Sequence, residues 1–371
     1  MSPAAEPPAP TPSGRLARPR RRAVVAGVTV VVLAVSGLAV RLAVSDGGPD
    51  HPEGSARQSA SRTERCGPLS SREVHGQRPA HLPRRLTRFW GDEAICRGMW
   101  LGGRIGRFVP QGLAVQGRTG WVTGYNGSAP RSKRACRLLQ IDLRRARVVK
   151  VQAKLQGAVP GRGTTYCRHG GAVVADGPKR LWVVETRRLW LLDPHRIGHQ
   201  DAVRRVWRLE DGVRGSVGVL VPGRGLGLGR HAAPGKGRID WFDPRRIRRS
   251  PRGVLRARET DHAPSGLQGL TYGRLRERAA KGLWVTMTRS GCGVLIGPRG
   301  QRVPVVPGAE GIAFDGRGGL WMLSEASVRL YYDRGDAVVP QLVRYSVADL
   351  ADQMSLPGGQ RKVRRCLRID R

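Results

Sequence analysis

VPGAEGIAFDGRGGLWMLSEASVRLYYD, residues 306–333, reads as three short strands in succession. The apolar pattern predicts a strand from Gly311 to Phe314, a turn at Asp315-Gly316, a second strand from Leu320 to Leu323 and a third from Val328 to Tyr332. Asp-Gly between two apolar, alternating runs is a hairpin signal, because the tight primed turn needs positive φ at its centre. The unit is a β-meander.

The same unit recurs along the chain. Its other copies are PQGLAVQGRTGWVTGYN (Pro110 to Asn126), HGGAVVADGPKRLWVVET (His169 to Thr186), GSVGVLVPGRGLGLGRH (Gly215 to His231) and LQGLTYGRLRERAAKGLWVTMT (Leu267 to Thr288). Trp121, Trp182, Trp284 and Trp321 fall at matching places, and Leu228 is aligned there in the third copy. A third apolar strand follows in Arg187 to Pro194 and in Gly237 to Pro244, and a fourth in Val203 to Leu209 or Val254 to Arg258. Spacing of about 40 to 60 residues suits the four-stranded blades of a β-propeller; a sandwich of hairpins is the competing all-β arrangement. Five copies are visible. A sixth blade assembled from Leu86 to Gly106 and Lys362 to Ile369 would close the ring with a strand from each terminus and leave no open edge. The expectation is therefore five or six blades.

The run GIAFDGRGGLWML, with relatives at Gly112, Gly171 and Gly269, resembles the repeat of the NHL and gluconolactonase (regucalcin-like) six-bladed propellers. The resemblance spans roughly residues 108–348 at the level of the repeat and implies architecture more than activity. It also implies a divalent metal, Ca²⁺ or another, held in the central channel by carboxylates and an asparagine. Glu310 stands where such a carboxylate would be, and Asn126, Glu185 and Glu325 end second strands, so Glu310 and Asn126 are the metal candidates.

Propeller geometry yields a site without the resemblance. The first strand of each blade lines the axis, so the residues that lead into those strands converge at one mouth. These are Gln111, His169, Ser216, Gln268 and Glu310, a candidate ligand site, although side chains so placed also serve to hold neighbouring blades together.

Lys and Arg number 66 and Asp and Glu 28, for a net charge of +38. Residues 1–44 hold six arginines and one glutamate, +5, which leaves 38 − 5 = +33 on the rest. That excess favours polyanionic partners, such as an acidic cell-surface polymer or anionic lipid, unless it reflects arginine replacing lysine across the surface. Nothing beyond bulk charge points to nucleic acid.

Residues 1–22 form a Pro- and Ala-rich tail with a basic end, and Ala23 to Val40 is an unbroken run of eighteen uncharged residues. The segment 23–44 is long enough for a transmembrane anchor with the arginines inside; a cleaved signal peptide is the alternative. Residues 45–83 read as a polar stalk and 84–371 as the propeller, on the outer side of the membrane or secreted. Six cysteines without a CxxC suit disulfides there, with Cys136–Cys167 and a bond from Cys366 to an amino-terminal cysteine preferred. Asn126-Gly127-Ser128 fits a glycosylation acceptor but also a turn, and GRGLGLG (Gly223 to Gly229) lacks dinucleotide spacing and falls at a blade hairpin. No P-loop, HExxH or GxSxG occurs. The sequence thus supports a monomeric membrane-anchored binding module, with a protein or acidic polymer as partner. A divalent-metal-dependent lactonase-type hydrolase is the alternative.

Overall fold

Each of the five repeats begins with a strand that faces a common axis. The computed structural model describes residues 65–101, 107–130, 133–251, 253–289 and 291–368, which belong to one unit, Arg62–Arg371. The inner strands are Phe108–Gln116, Ala172–Ala175, Val217–Val221, Leu267–Gly273 and Ala309–Phe314. Each leads antiparallel sheet neighbours outward, four strands in three blades and five in two. The first blade continues through Thr119–Asn126, Cys136–Asp142 and Arg147–Gln152, and the others repeat that order. All five inner strands line one axial space of only about 10 Å³, so the ring is shut and its centre nearly filled.

The motif glycine makes this approach possible. A Cβ on Gly269 would lie 2.2 Å from the Glu310 carbonyl oxygen of the next blade, and one on Gly311 would lie 2.5 Å from Leu113 N of the first. Any side chain there would push the inner strands apart.

The repeated tryptophan fills the wedge between blades. Trp121, Trp182, Trp284 and Trp321 are all buried, each in the apolar cluster joining its blade to the next. In the third blade the matching position is Gly227, not Leu228: Gly227 pairs with Val219 as Trp182 pairs with Val174. The indole of Trp241, from the adjoining strand, occupies the space, 2.8 Å from where a Gly227 Cβ would be. Trp241 then supplies the cluster between the third and fourth blades, so each of the five junctions keeps one large ring.

Several expectations need correction. Val328 to Tyr332 is not a strand; Arg329–Tyr332 is one helical turn, and the third strand of the last blade is Leu342–Ser346. The fourth is Ile95–Met99 from the amino-terminal side, so closure by a borrowed strand holds, but within the fifth blade rather than a sixth. Lys362 lies in the helix Pro357–Arg368, not in a strand. Val254–Leu255 adds a parallel fifth strand to the second blade, and Glu259–His262 is the outer strand of the third. Asp315 and Gly316 open a four-residue turn, with Gly316 and Gly318 at φ of 70° and 76°. The Asp315 carboxylate holds that turn by accepting from Arg317 N and Gly319 N at 2.8 and 2.9 Å.

Residues 65–83 are part of the propeller rather than stalk: Val74 and His75 pair with the Ile95–Met99 strand, and Leu82 is buried. Disulfides join Cys66 to Cys96, Cys136 to Cys167 and Cys292 to Cys366. The second was expected. Cys366 pairs with Cys292 instead of an amino-terminal cysteine because its helix packs on the outer strands of the fourth blade. Among the described residues no helix is long and apolar enough to cross a membrane; the segment 23–44 lies outside them.

Candidate ligand site at the channel mouth

Because inner strands start, and second strands end, at one face of the ring, the residues at those junctions share a mouth. It is a cavity of about 700 Å³. Gln111, His169, Ser216, Gln268 and Glu310 all line it, so the convergence read from the repeat is the one the fold builds. Glu185 and Glu325 line it too. Asn126 does not: its carboxamide oxygen accepts from Ser128 N at 3.1 Å, which makes the Asn-Gly-Ser stretch a turn.

The floor on the fifth blade is a pair of carboxyl groups. Glu310, 3% exposed, donates a hydrogen bond to Glu325, which also accepts from Gln111 Nε2 at 3.0 Å. Burial, then the Glu325 charge and this hydrogen bond, push the Glu310 carboxyl well above the usual range. Burial also raises Glu325, to about 7, against the opposing hydrogen bonds from Gln111 and Glu310. Two carboxylates this close cannot both ionise at low cost, so the pair shares protons at neutral pH. Beside it Tyr125 and Tyr331 meet hydroxyl to hydroxyl at 3.0 Å, and burial raises both phenols. The Tyr125 ring is stacked by His169 at 5.2 Å and covered by the Arg134 guanidinium at 4.4 Å.

The mouth also carries five arginines, among them the Arg134 that covers Tyr125. Arg134 comes from the first blade, Arg168 and Arg187 from the second, and Arg214 and Arg230 from the third. Among the described residues none of the five makes an ion pair, and the buried Nε atoms of Arg134 and Arg230 have no hydrogen-bond partner. The third acid, Glu185, is already engaged: Arg188 Nη1 donates to it at 3.0 Å, Trp190 Nε1 at 3.3 Å and Arg168 N at 3.1 Å. The arginines were missed in the sequence. Arg168 precedes His169, Arg187 follows Thr186, and Arg214 and Arg230 flank Gly215 and His231, but 66 basic residues hide five.

The donor set does not fit a channel metal of the kind the resemblance implies. Glu310 and Glu325 bond to each other, Asn126 is turned into its own loop, and among the described residues no group of three His, Cys, Asp or Glu could hold an ion. What the arrangement can do is receive negative charge at its arginines while offering proton-bearing carboxyl and amide groups at its floor.

No protein-family profile and no curated protein matches the sequence. Solved structures similar to the chain include a luciferin-regenerating enzyme, 12% identical over 64% of this chain and 91% of that one, TM-score 0.37. Regucalcin, a calcium-binding protein from Agrobacterium tumefaciens, is 13% identical over 64% of this chain and 89% of its own, TM-score 0.37. The PQQ-bound aldose sugar dehydrogenase of Streptomyces coelicolor is 11% identical over 68% and 82%, TM-score 0.34. The fold itself is given by strand order and pairing: the chain is a five-bladed β-propeller.

Proposed function

We propose that this protein is a binding module that takes an anionic ligand at its channel mouth. The observation that carries the reading is the charge imbalance there: five arginines without an acidic partner among the described residues, facing acids already engaged with Arg188 or sharing protons. We further propose that the domain works on the outer side of a membrane, anchored by residues 23–44. Three disulfides and the apolar run Ala23 to Val40 support this. Calorimetric titration with citrate, on the parent and on Arg214→Ala/Arg230→Ala, tests the mouth. Binding should weaken at least tenfold in the double variant; equal binding, or none to the parent, defeats the proposal.

A lactonase-type hydrolase at the same mouth is the second reading, favoured by one observation. Glu325, near 7, is poised to take up and return a proton in a cavity open to a small substrate. Hydrolysis of glucono-δ-lactone that persists in Glu325→Gln would remove that role.

A further inference from the structure

Beside the mouth, on the same face of the ring, lies a separate cavity of about 620 Å³. The two share no lining residue: the helical turn Arg329–Tyr332 divides them, with Leu330 lining this cavity and Tyr331 the mouth. Three parts of the chain enclose it, residues 77–81 of the amino-terminal segment, Phe108 and Gly127 of the first blade, and residues 327–333 after the last inner hairpin. Its amino-terminal wall is fixed to the last blade. His81 Nε2 donates to the Ser327 carbonyl at 3.2 Å, and the His81 ring meets Tyr332 edge-on with centroids 5.9 Å apart. Arg78 donates to the Leu82 carbonyl in the same segment.

The buried polar groups of this cavity are engaged by the fold. The Ser327 hydroxyl donates to the Val339 carbonyl at 2.6 Å and accepts from Val339 N at 2.7 Å, and Gln341 Oε1 accepts from Leu101 N at 2.9 Å. Phe108, Val328, Leu330 and Pro79 supply carbon surface to the wall. Charge is left to the more open residues, where Arg78, Arg107 and Arg329 stand against one acid, Asp333. Among the described residues the side chains of Arg107 and Arg329 make no ion pair or hydrogen bond, and both are exposed, so they can turn to a ligand. The bond Arg78 makes is to a neutral carbonyl and leaves its charge uncancelled. A cavity of this size suits a small molecule. Carbon walls beside unpaired guanidinium groups select one with an apolar body and an anionic group.

We propose that this cavity binds a small amphiphilic anion, an apolar body bearing a carboxylate, independently of the ligand at the mouth. The test is calorimetric titration of the full chain with three probes. Naphthoate carries both features, naphthalenemethanol keeps the body without the charge, and acetate keeps the charge without the body. Naphthoate should bind about tenfold more tightly than either of the others. Arg107→Ala/Arg329→Ala, both exposed positions, should weaken naphthoate by about tenfold, while Arg214→Ala/Arg230→Ala at the mouth leaves it unchanged. Absence of naphthoate binding, equal binding of naphthalenemethanol or acetate, or an unchanged affinity in the Arg107→Ala/Arg329→Ala variant overturns the proposal. So does loss of naphthoate binding in the mouth variant, which would move the ligand to the mouth.

Discussion

Glu310, on the inner strand of the fifth blade, gives its carboxyl proton to a hydrogen bond with Glu325, the residue that follows the second strand. Around them stand Gln111, Tyr125, Tyr331 and Arg334, and the Tyr125 and Tyr331 phenols are themselves raised. A carboxyl raised by folding stabilises the fold fully below its ordinary value, here 4.5, and that contribution is lost as pH climbs through about 7. At pH 8 the ionised Glu325 should cost on the order of 3 kcal/mol. Glu325→Gln is therefore expected to match the parent at pH 5 and exceed it at pH 8, as read by denaturant unfolding at both values. Equal pH profiles would contradict the shared proton.

Gly311→Ala should be among the most damaging single-methyl changes in the chain. The added carbon would meet Leu113 N at 2.5 Å and the Gln111 carbonyl at 2.6 Å, both backbone atoms that cannot rotate away. A loss of about 3 kcal/mol is expected from the denaturation midpoint, the upper range for overpacking. A loss below about 1 kcal/mol would mean that the inner strands are not packed this tightly.

Asp315→Asn separates a carboxylate from the Arg344 guanidinium, with both side chains mostly buried. Burial alone would raise Asp315, but the hydrogen bonds from Arg317 N, Arg344 and Gly319 N outweigh it and hold the group below its usual value. Its contribution is present above about pH 4 and disappears as pH falls through the lowered folded value. The variant should be less stable by about 2 kcal/mol at pH 7, with the gap closing toward pH 2. A constant gap would place the effect in packing rather than charge.

Cys292 and Cys366 close a loop with a sequence separation of 74. Loop entropy for a ring of that length corresponds to about 4 kcal/mol. Replacing both by serine should lower stability by up to that amount and make the helix Pro357–Arg368 the first segment cut in limited proteolysis, leaving the blades intact. Simultaneous loss of the whole ring would show that the helix is needed to hold the fourth blade.

The inner hairpins were legible because their constraints are local. Glycine at the crowded axis, Leu-Trp-Val on the next strand and a polar turn between them recur within a few residues, and so the convergence of Gln111, His169, Ser216, Gln268 and Glu310 could be read from the repeat. The outer strands were not, because their partners are distant. Ile95–Met99 is recognisable as a blade strand only once it is paired with Leu342–Ser346. Trp241 standing in for the side chain missing at Gly227 is likewise a contact between strands, invisible as a motif. Val328 to Tyr332 misled because a single apolar helical turn and a short strand share the same composition. The Glu310–Glu325 pair was half legible: both residues were noted, but the bond that joins them depends on the strand pairing.

The strand that seals the ring is made early and used late. Ile95 to Met99 leaves the ribosome before any complete blade, yet its place opens only after Leu342 to Ser346 has been synthesised. Until then the newborn chain carries an unoccupied sheet margin at each end. A protein built this way gains its final stability in one last step, and its half-made forms are the ones most in need of a chaperone's cover.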